Sequence, residues 1–505
     1  MKRLTLITLV AALVLALPAM ALAKADLVVA TDAPPKSMNP HAYSSDANLS
    51  YMSNFFDGLL QRKAPDGKLG PALATSWKRL DDVTWKFELR KGVKFHNGNK
   101  FTAADVKFTF ERMKDPKYSK LLNIANSIQS IKTPTDYMVI FKTVKPVPWF
   151  AETMHQNFIV DMESSQGRDD GDYNTRPIGT GAYELVEWVK GSYVRMKANP
   201  NYWEGAAKYK TVDIRPITEE ATRFAALAGR QVDIVNGVPV TLIDRVQKMA
   251  HVEVISRAAR RCIYMGMSNK AGTPFADLRV RQAIAHAINE EEIIAKVMRG
   301  QATLAHQIPD IATVGYDAGI QRLPYDPAKA KQLLAAAGYP NGFEITVAGP
   351  NDRYINDEKI CEAVAKYLAK VGLKVKLDVK PKSIFFDELT DYKHPFYLIG
   401  WFDGAFDFGR STEKLLHTPN KDLGMGTYNG GMFSNSDLDS QIIASSSILD
   451  RAERAKALQA ISRLSVEEVA WIPLHYQQDI FAVVKGKNVK YTPRSDRWIV
   501  AKEIR

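Results

Sequence analysis

The amino-acid sequence predicts a mixed α/β fold in which helices cover open sheets. Two observations support this prediction: apolar residues recur at helical spacing in several long segments, and short apolar strands lie between those segments. The connections between helix and strand are short, which favours sheets whose faces are packed with helices. With 505 residues the chain is long enough for several domains.

The first predicted element is a short apolar strand at residues 27–31. Residues 85–89 alternate between apolar and charged side chains, which predicts a strand with one buried face. Asn97 and Gly98 then form a two-residue turn typical of a hairpin, and Thr102 can cap the helix that follows. We read this stretch as scaffold that does not contact a ligand.

The rest of the chain continues the alternation of helix and strand. The later predicted elements are a helix capped by Thr218 and ended by Gly229, a strand at 232–235, an amphipathic helix from Asp277 to Arg299, a helix capped by Asp326 and ended by Gly338, a helix from Asp357 to Lys370 capped by Asn356, a strand at 373–379, and a helix from Arg451 to Val469.

The amino terminus has the pattern of a secretory signal. Lys2 and Arg3 precede an apolar run at residues 4–17 and an A-x-A site that ends at Ala23. The run is shorter than the ~20 residues of a membrane helix, and no cysteine follows it for lipid attachment. We therefore expect a signal peptide at 1–23 and a mature protein that is soluble, not membrane-embedded, in the periplasm of a diderm bacterium.

Composition and charge are those of an ordinary globular chain, with 46% hydrophobic residues, 25% charged residues and a formal net charge of +12. A basic balance can indicate nucleic acid or an anionic surface. Here the basic residues are scattered and usually stand near acidic ones, so we expect a solvated surface and no nucleic-acid partner. Cys262 and Cys361 permit either one disulfide or two buried thiols.

The sequence lacks the local motifs of common enzymes. It contains no G-x-x-x-x-G-K-[ST] phosphate loop, no H-E-x-x-H zinc helix and no G-x-S-x-G elbow. Its nine histidines include no close pair at metal-ligand spacing. We therefore predict neither an enzyme nor a metal or cofactor site, with a periplasmic hydrolase or a chaperone as the alternatives from other classes.

One ordered stretch resembles the signature of the extracellular solute-binding proteins of family 5: PALATSW at 71–77, TWKFELRKGVKFHNG at 84–98 and FTAADV at 101–106. That family comprises dipeptide-, oligopeptide- and nickel-binding receptors of bacterial ABC importers. Further similar stretches are IGTGAY at 178–183, NPNYW at 199–203 and LLAAAGY at 333–339. The resemblance covers nearly the whole mature chain and implies a receptor that captures a solute.

The resemblance also implies an architecture, the two-lobe periplasmic-binding-protein (Venus-flytrap) fold with an inserted subdomain in the first lobe. Ligand would bind between the lobes, which would close over it. The implied partners are the permease and ATPase subunits of an ABC importer, and the receptor would be a monomer. The implied boundaries are 24–266 for the first lobe with 59–178 as the inserted subdomain, 267–476 for the second lobe, and 477–505 for the return to the first lobe.

The main candidate for the binding site is the segment LIGWFDGAFDFG at 398–409, which joins aromatic rings, two carboxylates and three glycines. Rings can bury apolar ligand surface, and a desolvated carboxylate attracts a cation. Trp401, Phe402, Asp403 and Asp407 are therefore candidate ligand-binding residues. Alternatively, Trp401 belongs to the core and both aspartates cap loops.

In peptide receptors of the family, an aspartate three residues after this tryptophan grips the peptide's α-ammonium group. The corresponding position here is Gly404, and Asp403 lies one residue earlier. In an extended segment a shift of one residue turns the side chain to the opposite face. The amine anchor is therefore displaced to Asp403, replaced by Asp407, or absent.

Two further candidates come from the same resemblance. Dipeptide receptors hold the ligand carboxylate with an arginine, whose counterpart here is Asn351, with Arg353 two residues on. Arg353 could make a two-pronged grip on a carboxylate, or it could pair with Asp352 or Asp357. Tyr43 lies in a stretch that resembles the family's amino-terminal ligand-contacting loop.

Weaker candidates are Trp149 and Tyr428, and His417 lies roughly where nickel receptors of the family present a histidine. The resemblance makes a short peptide or an amino-acid-like compound the leading solute. A sugar, an opine or a metal chelate remains the alternative.

Overall fold

The computed structural model describes residues 24–168 and 173–505, so the predicted signal peptide at 1–23 lies outside the described residues. The strands are β1 (Leu27–Thr31), β2 (Leu60–Lys63), β3 (Lys68–Pro71), β4 (Ala74–Arg79), β5 (Thr84–Leu89), β6 (Ile128–Thr135), β7 (Met138–Thr143), β8 (Tyr183–Val189), β9 (Tyr193–Ala198), β10 (Thr211–Pro216), β11 (Ile234–Asn236), β12 (Val252–Met267), β13 (Ala302–Leu304), β14 (Glu344–Pro350), β15 (Lys374–Lys380), β16 (Phe396–Trp401) and β17 (Trp471–Val484).

The helices alternate with these strands along the chain. They run over Asp46–Met52, Ala103–Arg112, Leu122–Asn126, Met162–Ser165, Glu220–Ala228, Ile243–Gln247, Leu278–Ala287, Glu290–Glu292, Pro327–Ala336, Asp357–Lys370, Lys382–Thr390, Phe408–Leu415, Ser436–Ser445 and Arg451–Glu467. No helix in the described ranges is long and apolar enough to cross a membrane.

Several local predictions are confirmed. The strand at 27–31 and the helix at Asp357–Lys370 have the predicted bounds. Thr102 caps its helix in a capping box with Asp105. The Thr102 side chain accepts a hydrogen bond from the backbone of the first helical turn, and the Asp105 side chain accepts one from the Thr102 backbone N–H. Asp326 likewise accepts a hydrogen bond from the Lys329 N–H at 2.8 Å.

Two helix predictions are wrong in detail. The helix expected from Asp277 to Arg299 stops at Ala287, because the buried Ile288 adopts extended backbone angles and Asn289 caps a new short helix. The helix expected to be capped by Thr218 is capped instead by Glu219, whose carboxylate accepts hydrogen bonds from two N–H groups of the first turn.

A single twisted sheet runs through both halves of the molecule, in the order β15-β14-β16-β12-β17-β11-β1-β10-β9-β8. One end of this sheet, around β14, β15 and β16, packs into a hydrophobic core that we call the second lobe. The other end, around β1 and β8 to β11, packs into two adjoining clusters that we call the first lobe.

Strands β12 and β17, the hinge strands, belong to both lobes. Their antiparallel pairing begins at Val252 and Val484 in the first lobe and ends at Gly266 and Trp471 in the second. The register shifts between Ala258 and Cys262, which marks a β-bulge where the pair passes between the lobes. A bulge bends and twists a ladder locally, so the change of direction between the lobes falls at this point.

A further hydrophobic cluster, the insertion cluster, contains residues between Leu59 and Ile159 and packs β4 to β7 against the Ala103–Arg112 helix. Its centre is aromatic: the Phe141 ring lies 5.0 Å from Phe110 and 5.5 Å from Phe150 between centroids. This cluster is consistent with an inserted subdomain, whose predicted bounds stay a prediction.

Cys262 and Cys361 are both free and buried, which is the second of the two alternatives that the sequence left open. Cys262 lies on β12, and Cys361 lies on the Asp357–Lys370 helix. Burial raises the pKa of both thiols, so they behave as apolar core residues.

The fully buried His475 on β17 gives the fold a dependence on pH. Neither of its ring nitrogens has a hydrogen-bond partner among the described residues, and burial lowers the pKa of the ring from 6.5 to about 3. Below pH 6.5 the His475 ring is therefore protonated in the unfolded chain but stays neutral in the folded protein. The resulting stability is present above pH 6.5 and is lost as the pH falls towards 3.

We expect His475→Leu to remove this contribution. Between pH 7 and pH 5 the free energy of unfolding of the variant should fall by about 2 kcal/mol less than that of the wild type. Urea unfolding at the two pH values measures the difference. Equal pH sensitivity in the two proteins would show that His475 is protonated, or paired, in the folded state.

Candidate functional site

A large cleft separates the two lobes. It has a volume of ≈ 1860 Å³ and is lined by the first lobe, the hinge strands, the insertion cluster and the second lobe. Small-molecule pockets usually have about 300–1,000 Å³, so this cleft is larger than a typical pocket. A ligand placed in it would contact side chains from both lobes.

The second lobe contributes the end of β16 as one wall of the cleft. Trp401, Phe402, Asp403 and Gly404 all line it. The Trp401 indole N–H donates to Ser411 Oγ at 2.9 Å, and its ring lies 5.6 Å from that of Tyr428, which also lines the cleft. This wall therefore presents aromatic surface fixed in place by a polar contact behind it.

The Asp403 carboxylate is engaged within its own loop. Its side chain is only 6% exposed, Oδ1 accepts the Ala405 N–H at 2.8 Å, and Oδ2 accepts the Ser411 hydroxyl at 3.3 Å. Arg410 Nη1 lies 3.5 Å from Oδ1. Asp403 thus lies at the cleft, but most of its hydrogen-bonding capacity is used by the protein.

Asp407 is not brought to the cleft with the other residues of the segment. Its carboxylate caps the Phe408–Leu415 helix through the Gly409 N–H at 2.9 Å. Arg454 Nε and Nη2 donate to its two oxygens, each at 2.7 Å, in a buried bidentate ion pair. The structure therefore places Asp407 in the loop-capping role that the sequence left open as an alternative.

Arg353 lines the cleft from the second lobe and is exposed. Its guanidinium lies 5.2 Å from the centre of the Tyr354 ring, and no ion pair to it occurs among the described residues. Asp352 lies near Lys382 instead, at 3.5 Å. The Asp357 carboxylate accepts the backbone N–H groups of Arg353 and Tyr354, each at 2.9 Å.

Asn356 occupies the N-cap position of the Asp357–Lys370 helix, as predicted, but its side chain makes no capping hydrogen bond. Asn356 has a left-handed backbone, and its side-chain amide donates to the Val297 carbonyl at 2.8 Å. Asp357 holds the turn before the helix in its place.

Tyr43 is 38% exposed and does not line the cleft, and Lys36 lies above its ring. The residues directly after it do: Ser44, Ser45 and Asp46 belong to the first-lobe wall. Trp149, from the insertion cluster, also lines the cleft. The guanidinium of Arg410, which belongs to the second lobe, lies 5.0 Å from the centre of the Trp149 ring. His417 is buried, does not line the cleft, and bonds the Thr418 carbonyl through Nδ1.

Sequence reasoning missed the floor of the cleft, which the hinge strands form. Arg261 and Gln477 line the cleft there, and Arg261 pairs with Asp46 at 3.2 Å. Arg497, from the carboxyl-terminal segment, lies beside them and pairs with Asp479 at 2.7 Å. No local pattern marks these residues, because their position at the cleft depends on the pairing of two strands that are far apart in the sequence.

A cluster that could hold a metal ion lies away from the cleft. Asp378, Glu388 and His394 bring ligand atoms within 4.8 Å of one another. The Lys380 ammonium already lies 3.0 Å from Asp378 and 2.8 Å from Glu388, so a lysine supplies the positive charge that these carboxylates attract.

Comparison with known proteins finds one family and many relatives. The family model "Bacterial extracellular solute-binding proteins, family 5 Middle" matches residues 68–422. Heme-binding protein A of Haemophilus influenzae is 27% identical over 453 residues, 83% of this chain and 81% of that protein. The glutathione-binding protein GsiB of Escherichia coli is 27% identical over 482 residues, 92% of each chain.

Solved structures confirm the predicted fold class. The periplasmic binding protein DppA from Helicobacter pylori, in complex with peptide STSA, matches with a TM-score of 0.80 at 25% identity, over 95% of this chain and 97% of that chain. The architecture is therefore that of the two-lobe periplasmic binding proteins, as the sequence predicted.

The buried pair of Asp407 and Arg454 gives a test of its structural role. We expect Asp407→Asn to lower the free energy of unfolding by about 3–5 kcal/mol, because it leaves the Arg454 charge buried without a counter-ion. The control is Asp352→Asn, the same chemical change at an exposed pair, which should cost about 1 kcal/mol or less. Chemical denaturation measures both, and equal losses would show that Asp407 is not a buried partner.

Proposed function

Because the chain belongs to the bacterial extracellular solute-binding proteins of family 5, it is a solute-binding protein, and we propose that it serves an ABC importer as the periplasmic receptor for a short peptide or an amino-acid-like compound. The observation that carries this proposal is the cleft, whose walls come from both lobes and meet at two continuous hinge strands.

The proposed mechanism is a ligand-driven shift from open to closed lobes. Narrowing of the cleft would bring the first-lobe wall and the second-lobe wall closer to a ligand that lies between them. A ligand that contacts both walls therefore has a higher affinity for the closed form, and that difference is what moves the equilibrium. The closed form would be presented to the permease, and ATP hydrolysis would belong to partner subunits.

The proposed ligand contacts are Arg353 for an anionic group, Trp401 and Phe402 as the apolar wall, and Asp403 for a partial positive charge. Tyr43 and Asp407 are left out of the set because neither lines the cleft. A peptide or amino-acid-like solute is supported by relatives of two kinds, one named for glutathione and one solved with a peptide. Another relative, heme-binding protein A, is named for a solute that is not a peptide, so a non-peptide solute stays the alternative.

The other attributes of the proposed receptor follow from the family. We propose that the segment 1–23 is a signal peptide, that the mature protein acts in the periplasm, and that it works as a monomer without catalytic activity.

Binding to purified mature protein tests the function. The protein is unfolded and refolded to remove carried ligand, and its melting temperature is then measured with glutathione, the peptide Ser-Thr-Ser-Ala, heme, a sugar set and a nickel–histidine chelate. A ligand at 100 times its Kd should add about 2.7 kcal/mol to the free energy of unfolding. Shifts with peptides or glutathione support the proposal, and shifts only with other solutes keep the receptor but change its ligand.

Gly404→Asp places a carboxylate at the position that holds the amine anchor in peptide receptors of the family. A side-chain carbon at Gly404 would meet only Gln156 Oε1, at 3.5 Å, so the cleft has room for it. We expect the variant to bind Ser-Thr-Ser-Ala about tenfold more tightly than the wild type, because a carboxylate there can pair with the α-ammonium group.

The matched controls are Gly404→Asn, which has the same shape without the charge, and N-acetylated Ser-Thr-Ser-Ala, which lacks the ammonium. Neither should show the gain in isothermal titration calorimetry. An equal gain with the asparagine variant would place the ammonium group elsewhere.

A further inference from the structure

Two adjacent arginines of β12 lie at the floor of the cleft, and their side chains point to opposite faces of the strand. Arg260 turns away from the cleft, where its guanidinium donates to Asp310 at 2.5 Å and stacks on the Phe406 ring at 3.2 Å. Arg261 turns into the cleft, with 11% of its side chain exposed. Successive side chains of a strand point to opposite faces, and both arginines lie within the bulge between Ala258 and Cys262.

Gln477 lies on the other hinge strand, opposite that bulge. Its neighbours Tyr476 and Gln478 pair with Cys262 and Ala258, the two residues that bound the bulge. Gln477 lines the cleft but is only 4% exposed, and its Nε2 has no hydrogen-bond acceptor among the described residues. A buried amide N–H without an acceptor is costly, so this donor points to a group that arrives with a ligand.

Arg353 brings a third donor towards this floor from the second lobe, with its guanidinium 5.2 Å from the centre of the Tyr354 ring. The Tyr354 hydroxyl donates at 3.1 Å to the carbonyl of Gly400, which pairs with Ile263 of β12, two residues after Arg261.

Burial lowers the pKa of Arg261, and the nearby charges of Arg353 and Arg497 lower it further. Asp479 already pairs with Arg497 at 2.7 Å. The carboxylate partner of Arg261 is Asp46, which is 41% exposed on the first-lobe wall. An additional anion between Arg261 and Arg353 would therefore relieve repulsion that the protein leaves in place.

We infer that Arg261, Gln477 and Arg353 form a subsite for a carboxylate group of the ligand at the pivot between the lobes. The inference rests on the proposed function and names which ligand group lies at the hinge strands. All three side chains are hydrogen-bond donors, and a planar carboxylate fits the fork of a guanidinium. Two donors belong to the hinge strands and one to the second lobe, so this contact would also favour closure.

The test compares acids with their neutral counterparts. Binding of Ser-Thr-Ser-Ala, its carboxyl-terminal amide, glutathione and glutathione diethyl ester to the mature protein is measured by isothermal titration calorimetry. The acids should bind at least about tenfold more tightly than the amide and the ester, since a hydrogen bond to a charged group contributes roughly that factor.

Two variants locate the effect at the hinge strands. Gln477→Glu has the same shape as the native residue but supplies a carboxylate that competes for Arg261, and Arg261→Gln removes the charge. Each should weaken acid binding about tenfold while changing binding of the amide and the ester by less than about twofold. Lys382→Gln, which removes another cleft-lining positive charge, is the control for general electrostatics. Melting of the unliganded variants checks that each is folded.

The outcomes separate this inference from the receptor function. Acid and neutral forms that bind alike, or a loss in Lys382→Gln as large as in Gln477→Glu, would overturn the carboxylate subsite while keeping the receptor. Binding of heme or sugars alone would do the same. Binding of none of these compounds would count against both.

Discussion

The antiparallel pairing of β12 with β17 is the constraint on which the rest of the structure depends. Because both strands are built into both lobes, the lobes cannot move apart as independent bodies. Any change in their relative orientation has to bend this pair, and the ladder is already irregular between Ala258 and Cys262. The side chains at that irregularity, Arg261 and Gln477, are therefore at the position where small changes in backbone direction alter the shape of the cleft.

The second-lobe wall is held in place because its carboxylates bond to neighbouring side chains of the same lobe. Arg454 holds Asp407, and this pair fixes the start of the Phe408–Leu415 helix behind the wall. Ser411 on the same helix receives the Trp401 indole N–H and bonds Asp403. The wall thus presents rings in a fixed orientation, while its carboxylates contribute more to order than to attraction of a free cation.

The sequence predicts the helices and strands that depend on a local pattern of residues. It does not predict the role of a side chain when that role depends on a partner far away in the sequence. The strand at 27–31 and the helix at Asp357–Lys370 follow from periodicity alone. The segment at 398–409 is divided, because residues 399–404 line the cleft whereas Asp407 does not. The role of Asp407 could not be read locally, because Arg454 lies 47 residues further on. Ile288 interrupts a helix although the apolar pattern of the sequence continues through it. Arg261 and Gln477 come to the same place only because two strands that are far apart in the sequence pair.

The proposed ligand contacts in this cleft lie in two places, and this division has a mechanical consequence. Aromatic surface lies on the second-lobe wall at Trp401 and Phe402, whereas Arg261 and Gln477 of the inferred carboxylate subsite lie at the pivot. A ligand that reaches only the pivot makes no contact with the rings of the second-lobe wall, and a ligand that reaches only those rings makes no contact with the donors at the pivot. A solute long enough to contact both therefore has the greatest differential affinity for the closed form. Selection by the receptor then depends on the spacing between an acidic group and an apolar group as well as on their presence.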